Sequence, residues 1–160
     1  MLYQNIKLVK KIAVMNAEKT MESLSYLSLI HFEEYDSPWL KRLERSLKQF
    51  RKIDFEPDYS KANEKNLDYI SWFESVLGFC KTNKEWLILV PNCQFPIWAN
   101  VKVLNSTKAL EELWDTSEDR DIILAVKSTG DIAQIYLEED KYKGHVGKCD
   151  VMNIDQNDSY

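Results

Sequence analysis

Residues 121–140, "DIILAVKSTGDIAQIYLEED", decide the fold class of this chain. The first six residues include an apolar run of strand length, and residues 131–138 carry β-branched and aromatic residues in a second run of strand length. Ser128, Thr129 and Gly130 separate the two runs, and turns favour residues of these types. The segment therefore predicts two neighbouring strands joined by a short turn.

Two more strands and a helix are predicted upstream of this segment. Residues 85–90, "EWLILV", form a buried strand, and residues 96–104, "PIWANVKVL", alternate in the manner of a second strand. Four apolar residues of that second strand share one side: Ile97, Ala99, Val101 and Val103. Residues 108–114, "KALEELW", predict a short helix capped by Ser106 or Thr107. The second half thus reads strand, strand, helix, strand, strand, which favours a mainly antiparallel sheet.

The helix predicted over residues 38–53 is the clearest element of the first half. Asp36 or Ser37 can cap its backbone donors, and Pro38 suits the first helical position. Its apolar residues recur at helical spacing: Leu40, Leu43, Leu47 and Phe50. Lysines and arginines occupy another face, so we expect a surface helix that is basic on its exposed side.

The remainder of the first half is rich in good helix formers. We favour helices over residues 4–15 and 17–34, although residues 23–32, "SLSYLSLIHF", also alternate as a strand does. Residues 54–60 contain a proline and predict a turn. A second helix is expected over residues 61–77.

Gly78 is suited to ending that second helix, and the sequence period changes from helical to extended after it. No repeat, low-complexity tract or linker interrupts the chain. We therefore expect one α+β domain over residues 1–160, in which a helical N-terminal half packs on the sheet of the C-terminal half.

The composition is that of a globular protein and excludes several functions. The 160 residues are 44% hydrophobic and 29% charged, enough to bury the core of one domain. Only four glycines are present, which disfavours the glycine-rich loops that hold nucleotides. No apolar run is long enough to span a membrane or to act as a secretory signal, and the three cysteines lack a disulfide spacing. We expect a cytoplasmic protein without membrane association or a small-molecule cofactor.

Charge divides the chain into two unequal parts. Residues 1–53 carry ten lysines and arginines against six acidic residues, whereas residues 54–160 carry eleven against twenty. The net charge of −5 disfavours nonspecific binding to nucleic acid. The basic helix over residues 38–53 lacks a partner helix of the DNA-recognition type, so we expect no nucleic-acid partner.

Nucleophilic and metal chemistry have few candidate residues. Only His31 and His145 can act as imidazole bases; His31 is expected to be structural, and His145 could pair with Cys149 on a loop. The segment "GHVGK" has its two glycines too close together for a phosphate loop. A zinc site would need Cys80, Cys93, His145 and Cys149, yet no two cysteines have the usual close spacing. We expect no metal.

The acidic run at residues 111–121, "EELWDTSEDRD", holds six carboxylates. A calcium loop beginning at Asp115 would need glycine at its sixth position, which is Arg120. Paired catalytic carboxylates need desolvation, whereas this cluster is expected to stay solvated. The open interpretations are a solvated helix end or a surface that binds a basic protein, with Trp114 as an exposed anchor.

The runs "EELWDTSEDRD" and "YLEEDKY", within a small acidic tryptophan-rich chain, resemble the immunity proteins of bacterial toxin and immunity pairs, including those of contact-dependent growth inhibition. The resemblance implies a cytoplasmic antidote that masks the active site of a basic nuclease toxin, with carboxylates in the place of phosphates. We expect the following residues to bind the partner: Glu111, Glu112, Trp114, Asp115, Glu118, Asp119, Asp121, Glu138, Glu139 and Asp140.

Two other classes of function stay open on the sequence. An adaptor or accessory subunit would bind a different protein through the same kind of surface. A small enzyme would instead bury a histidine or a carboxylate beside a nucleophile in a cleft.

Overall fold

A computed structural model describes residues 2–52 and 55–149 of the chain, with side chains from residue 5 onward. The helices are α1 (Leu2–Ser23), α2 (Pro38–Phe50), α3 (Tyr69–Val76), α4 (Gly78–Lys81) and α5 (Ser106–Thr116). The strands are β1 (Leu27–Phe32), β2 (Tyr59–Ala62), β3 (Glu85–Leu89), β4 (Trp98–Val103), β5 (Asp121–Val126), β6 (Asp131–Glu138) and β7 (Lys141–Lys148). The fold is α+β, as the sequence predicted.

All seven strands form one antiparallel sheet in the order β1-β4-β3-β5-β6-β7-β2. The predicted strands β3 to β6 occupy its centre, with α5 connecting the two pairs, so this part of the prediction is confirmed. The helical N-terminal half also contributes both edge strands, β1 and β2. The sheet therefore depends on strands from both halves of the chain.

Helices cover both faces of the sheet because its central strands are apolar on both sides. On one face, side chains of α1, α3, α4 and α5 pack into the larger core, which includes Phe73, Leu110 and Trp114. On the other face, α2 packs over Leu87, Ile123 and neighbouring residues of the sheet. We call this second side the α2 face.

Helix α2 forms as the sequence predicted. Leu40, Leu43, Leu47 and Phe50 are buried against the sheet. The hydroxyl of Ser37 accepts a hydrogen bond from the Trp39 backbone N–H at 3.2 Å, so Ser37 is the cap. Arg51 ends the helix, and residue 53, the last in the predicted range, lies outside the described residues.

The helix expected over residues 17–34 is wrong beyond Ser23, and the strand alternative for residues 23–32 is closer. Residues 27–32 pair with β4, which gives their backbone groups hydrogen bonds across the sheet and buries Leu27. Tertiary pairing here overrides local helix propensity. For the same reason the turn predicted over residues 54–60, of which residue 54 is not described, runs into strand β2.

The helix expected over residues 61–77 begins only at Tyr69, because residues 59–62 pair with β7. Asp68 caps α3 by accepting hydrogen bonds from Ser71. Gly78 does not end this helix: Leu77 does, and Gly78 opens α4. Helix α5 is capped by Asn105 instead of Ser106 or Thr107, since the Asn105 carboxamide accepts from the Lys108 N–H.

Strand β7 contains His145, which the sequence analysis considered on a loop, and the glycines of the strand explain its close packing. A Cβ at Gly144 would lie 3.1 Å from the side chain of Val76 on α3. A Cβ at Gly147 would lie 3.2 Å from the ring of Phe50 on α2. The glycines of "GHVGK" therefore allow helices to approach both faces of the strand.

A polar cluster holds the start of α2 to the sheet. The carboxylate of Glu33 accepts hydrogen bonds from Ser37 and Asn100, each at 2.7 Å, and forms an ion pair with Lys127. Burial raises the pKa of Glu33, but the hydrogen bonds from Asn100, Lys127 and Ser37 outweigh burial and hold the pKa below its ordinary value.

Among the described residues, no helix combines the length and apolar character that crossing a bilayer would require.

Candidate functional site: the acidic end of the sheet

Two acidic turns lie side by side at one end of the sheet. Asp121 pairs with Tyr136 across β5 and β6, and the Leu137 N–H donates to the Arg120 carbonyl at 3.1 Å. The turn before β5 is therefore next to the turn between β6 and β7. Their six carboxylates define what we call the acidic end: Glu118, Asp119, Asp121, Glu138, Glu139 and Asp140.

The carboxylates of the acidic end differ in how they are held. Glu138 forms an ion pair with Lys143 at 2.8 Å, and Asp140 accepts a hydrogen bond from Asn63 at 3.1 Å. Within the described chain, the side chains of Glu118, Asp119 and Glu139 form no ion pair and are exposed. These three are the carboxylates most available to a partner.

The turn between β6 and β7 holds its carboxylates in a tight hairpin. Glu139 and Asp140 are its two central residues, with φ of 52° and 61°. Positive φ at both positions matches the right-handed twist of the flanking strands. The conformation is unusual for glutamate and projects both side chains from the end of the sheet.

Trp114 is not an exposed anchor, contrary to the expectation from the acidic run. Its side chain is 4% exposed and packs edge to face on Phe73, with ring centroids 4.8 Å apart. Arg120 covers it from the outside, with its guanidinium carbon 5.7 Å from the ring, and donates to the Trp114 carbonyl at 2.8 Å. Tryptophan at this position lies on the apolar side of α5 and belongs to the core.

Glu112 also has a structural role. Its carboxylate accepts hydrogen bonds from the backbone N–H groups of Ser25 and Tyr26, at 2.9 to 3.0 Å. These donors precede β1, so Glu112 fixes the entry of the chain into the sheet. The Glu112 carboxylate therefore already has hydrogen-bond donors within the fold.

Glu111 and Asp115 are exposed on α5 beside the acidic end. Asp115 lies 3.6 Å from Arg120 in an ion pair whose two side chains are both largely exposed. Burial raises the pKa of Tyr69, and the negative charges of Asp115 and Glu111 raise it further. The negative field of the acidic end thus continues along α5.

A groove of about 630 Å³ adjoins the acidic end on the α2 face. Its lining includes Phe50, Arg51, Phe55, Asp121, Tyr136 and Lys143. Asp121 and Glu138 belong both to the groove and to the acidic end. The groove therefore joins carboxylates, cations and aromatic rings within one concave surface.

Asp121 lies at the junction between the groove and the acidic end. Its carboxylate is reached by solvent but is surrounded by protein atoms, and this burial raises its pKa. Two hydrogen bonds from the Gln134 amide, each 3.0 Å long, and the charge of Arg51 oppose the rise without cancelling it. Ionised Asp121 therefore costs folding free energy.

We expect Asp121→Asn to stabilise the protein at neutral pH. Because burial raises the folded-state pKa, the folded chain binds the proton more tightly than the unfolded chain, and stability falls as pH rises from 3.8 through the folded-state value. Asparagine has no charge to bury and retains an acceptor for Gln134. Urea midpoints should be higher for the variant at pH 7, and the difference should shrink below pH 3.8.

The control for this prediction is Glu118→Gln, which removes an exposed carboxylate outside the groove. Its urea midpoint should stay close to that of the parent protein at either pH. A lower midpoint for Asp121→Asn at pH 7 would mean that the charge itself supports the fold.

His145 forms the buried wall beneath this groove. The ring is 1% exposed and stacks against Phe50, Phe55 and Tyr136 at centroid distances of 5.2 to 5.7 Å. Its Nε2 is 3.0 Å from the Tyr136 hydroxyl, and its Nδ1 is buried without a hydrogen-bond partner among the described residues. Burial lowers the pKa of His145, which favours a neutral, structural imidazole.

The structure does not bring His145 and Cys149 together as the pair that the sequence left open. His145 lies on strand β7 and Cys149 directly follows it, both on the α2 face. The four-residue separation along the extended chain places them about 13 Å apart. The Cys149 thiol contacts the Ser46 hydroxyl at 3.4 Å instead. Cys80 lies in the core on the opposite face, so the four residues considered for zinc do not come together. Across the described residues, no cluster of three metal-ligating side chains is present.

Gln134, Tyr136 and Lys143 are the groove residues on the sheet that the sequence analysis did not identify. Their positions alternate along β6 and β7, so they share the α2 face with Ile132 and His145. Recognising "KYKGHVGK" as a strand would have placed Lys143 and His145 on that face. The strand was not predicted because polar residues occupy both ends of the alternating segment.

Comparison with known proteins leaves the family of this chain open. No protein-family model matches it, and no match was found among the curated proteins or the solved structures.

Proposed function

We propose that the protein binds a basic protein through its acidic end and acts as an antidote of the toxin-immunity type. The observation that carries the proposal is the meeting of six carboxylates on two adjacent turns, with three cations, Arg120, Lys141 and Lys143, in the same segments. Such a concentration of like charge is unfavourable for the isolated protein and favourable for capture of a cation-rich surface.

The groove beside the acidic end adds charged and aromatic groups to this surface. Two carboxylates of the acidic end, Asp121 and Glu138, line the groove, and the cations Arg51, Lys52 and Lys143 line it as well. A partner cation is attracted to the carboxylates and repelled by the cations. Tyr136 and Phe55 also line the groove, and an arginine guanidinium can stack on their rings.

A nuclease fits the chemistry required of the partner. Nuclease active sites hold cationic side chains that bind phosphate, and a row of carboxylates can take the place of the phosphates. Masking of such a site in the cytoplasm would protect the cell that makes the toxin. The supporting observation is that Glu118, Asp119 and Glu139 are exposed and form no ion pair with any residue that the structure describes.

An adaptor that binds another basic protein would use the same surface. The two functions differ in the partner, so a reading frame for a basic toxin beside the gene favours the antidote. Small-enzyme chemistry has less support, because His145 is enclosed by aromatic rings and, among the described residues, the polar contact of its ring is with Tyr136.

The test is affinity capture from lysate of the native cell, with bound proteins identified by mass spectrometry. The parent protein is compared with Glu118→Gln/Asp119→Asn/Glu139→Gln, which removes three exposed acidic-end carboxylates that have neither an ion pair nor a side-chain hydrogen bond among the described residues. We expect the parent protein to retain a basic protein that the triple variant loses, and the retained protein to lose its nuclease activity when the antidote is added.

A matched triple variant controls for net charge. Glu22→Gln/Glu44→Gln/Glu85→Gln removes three exposed carboxylates from α1, α2 and the start of β3. It should retain the partner as the parent protein does. Equal loss from both variants would assign the effect to net charge, and retention by both would reject the acidic end as the binding surface.

A further inference from the structure

Helix α1 carries an apolar stripe that its own fold does not use. Leu8, Ile12 and Met15 recur at spacings of four and three residues and are 56%, 44% and 51% exposed. Exposure of three large apolar side chains in one row is unfavourable in water. The row therefore points to a second structure that covers it.

The stripe faces away from the sheet. Ala13, Ala17 and Met21, which recur on another side of α1, are buried and pack the helix on the protein. With 3.6 residues per turn, the centre of the exposed row lies roughly opposite the centre of this buried row. A partner can approach the outer side of α1 without displacing any described element.

We propose that a second copy of this chain covers the stripe, with the two α1 helices packed antiparallel about a twofold axis. Leu8, Ile12 and Met15 occupy alternating positions of a coiled-coil seam, and the next seam position is Lys19. Ile12 then packs against Met15 of the second copy, and twofold symmetry repeats that contact. Leu8 lies under the aliphatic part of the second copy's Lys19.

Charge complementarity selects a second copy and the antiparallel direction. Lys11 and Glu18 lie on the same flank of the stripe, and both are exposed without an ion pair among the described residues. In the antiparallel arrangement, Lys11 meets Glu18 of the second copy, and the symmetry forms the pair twice. A parallel arrangement places Lys11 near Asn16 instead and forms neither pair.

The interface is small, so association should be weak and concentration-dependent. Sedimentation equilibrium of the full chain should show the average mass rising from 18.9 kDa toward twice that value between about 10 µM and about 1 mM. Ile12→Gln/Met15→Gln keeps good helix formers and should hold the mass at 18.9 kDa. Leu104→Gln, at an exposed leucine outside the stripe, should behave as the parent protein does.

Charge reversal tests the direction of packing. Lys11→Glu alone and Glu18→Lys alone each place like charges at both pairs, and each should weaken self-association several-fold at low salt. An equimolar mixture of the two variants brings opposite charges together again and should recover the doubled mass. Circular dichroism of each variant checks that α1 remains helical.

A parent protein that stays at 18.9 kDa throughout would overturn the proposal and would mean that another protein or another segment covers the stripe. Self-association that survives Ile12→Gln/Met15→Gln would place the interface elsewhere. A mixture that fails to recover association would reject the antiparallel register. These outcomes are independent of the acidic end, whose residues lie outside α1.

Discussion

Trp114→Ala is expected to lower the free energy of unfolding by about 3 to 5 kcal/mol, the usual range for removing a buried tryptophan. The side chain is 4% exposed and contacts an aromatic cluster that includes Phe73, Tyr69 and Tyr142. Its loss leaves a cavity where α3, α5 and the sheet meet, and it removes the ring beneath Arg120. Urea denaturation monitored by circular dichroism measures the change in the free energy of unfolding. The comparison is valid if the variant and the parent protein have the same m-value.

Trp72→Ala is the matched control for the same substitution. Trp72 is half-buried at the edge of this cluster, with its ring centroid 6.0 Å from those of both Phe73 and Tyr142. Trp72→Ala should therefore lower the free energy of unfolding less than Trp114→Ala does. If Trp114→Ala is too unstable to study, Trp114→Phe should show an intermediate loss. A Trp114→Ala protein as stable as its parent would restore the interpretation of Trp114 as a binding residue.

The centre of the sheet and helix α2 were predictable because local signals and tertiary contacts agree there. Leu40, Leu43 and Leu47 have the spacing of a helix and are buried on one face. Ile122, Leu124 and Val126 face one core while Ile123 and Ala125 face the other, so the run "IILAV" is apolar throughout. Burial on both faces removes the polar alternation and leaves a strand-length apolar run.

The edges of the sheet were not predictable from local sequence in the same way. Strand β2, "YSKA", is exposed at every position and exists because its backbone pairs with β7. Strand β1 is buried only at Leu27 and partly at Phe32, and its residues follow a segment of strong helix formers. Pairing with a distant strand decides both structures, and such pairing leaves little trace in a short window.

The candidate site was predicted in part. The two acidic turns span residues 118–121 and 138–140, and Glu138 follows Asp121 by 17 positions in the sequence. The β5–β6 hairpin nevertheless returns the chain to the same end of the sheet. Glu112 and Trp114 share the acidic run but have structural contacts, which only the fold reveals. A run of charges indicates where a binding surface can lie, whereas the contacts decide which members are free to bind.

Neutralising the acidic end should slow capture of the basic partner about tenfold or more at low ionic strength, since steering by clustered charge changes association rates by this order. The variant is Glu118→Gln/Asp119→Asn/Glu139→Gln, whose three side chains are exposed and unpaired among the described residues. Stopped-flow association with the captured partner should show a lower rate and a weaker dependence on salt. Dissociation should change less, because exposed rim charges act mainly before contact.

Ionic strength separates this effect from damage to the fold. Screening acts over about 8 Å at physiological ionic strength, so the rates of the parent and the variant should converge as salt is raised. The urea midpoint of the variant should not fall below that of the parent protein, because its three carboxylates support no described ion pair and their removal relieves repulsion between like charges. Glu22→Gln/Glu44→Gln/Glu85→Gln carries the same net charge and should keep the parent's salt dependence. If all three proteins associate at the same rate over the whole range of salt, the carboxylates of the acidic end do not steer the partner, and the main physical support for a basic partner is lost.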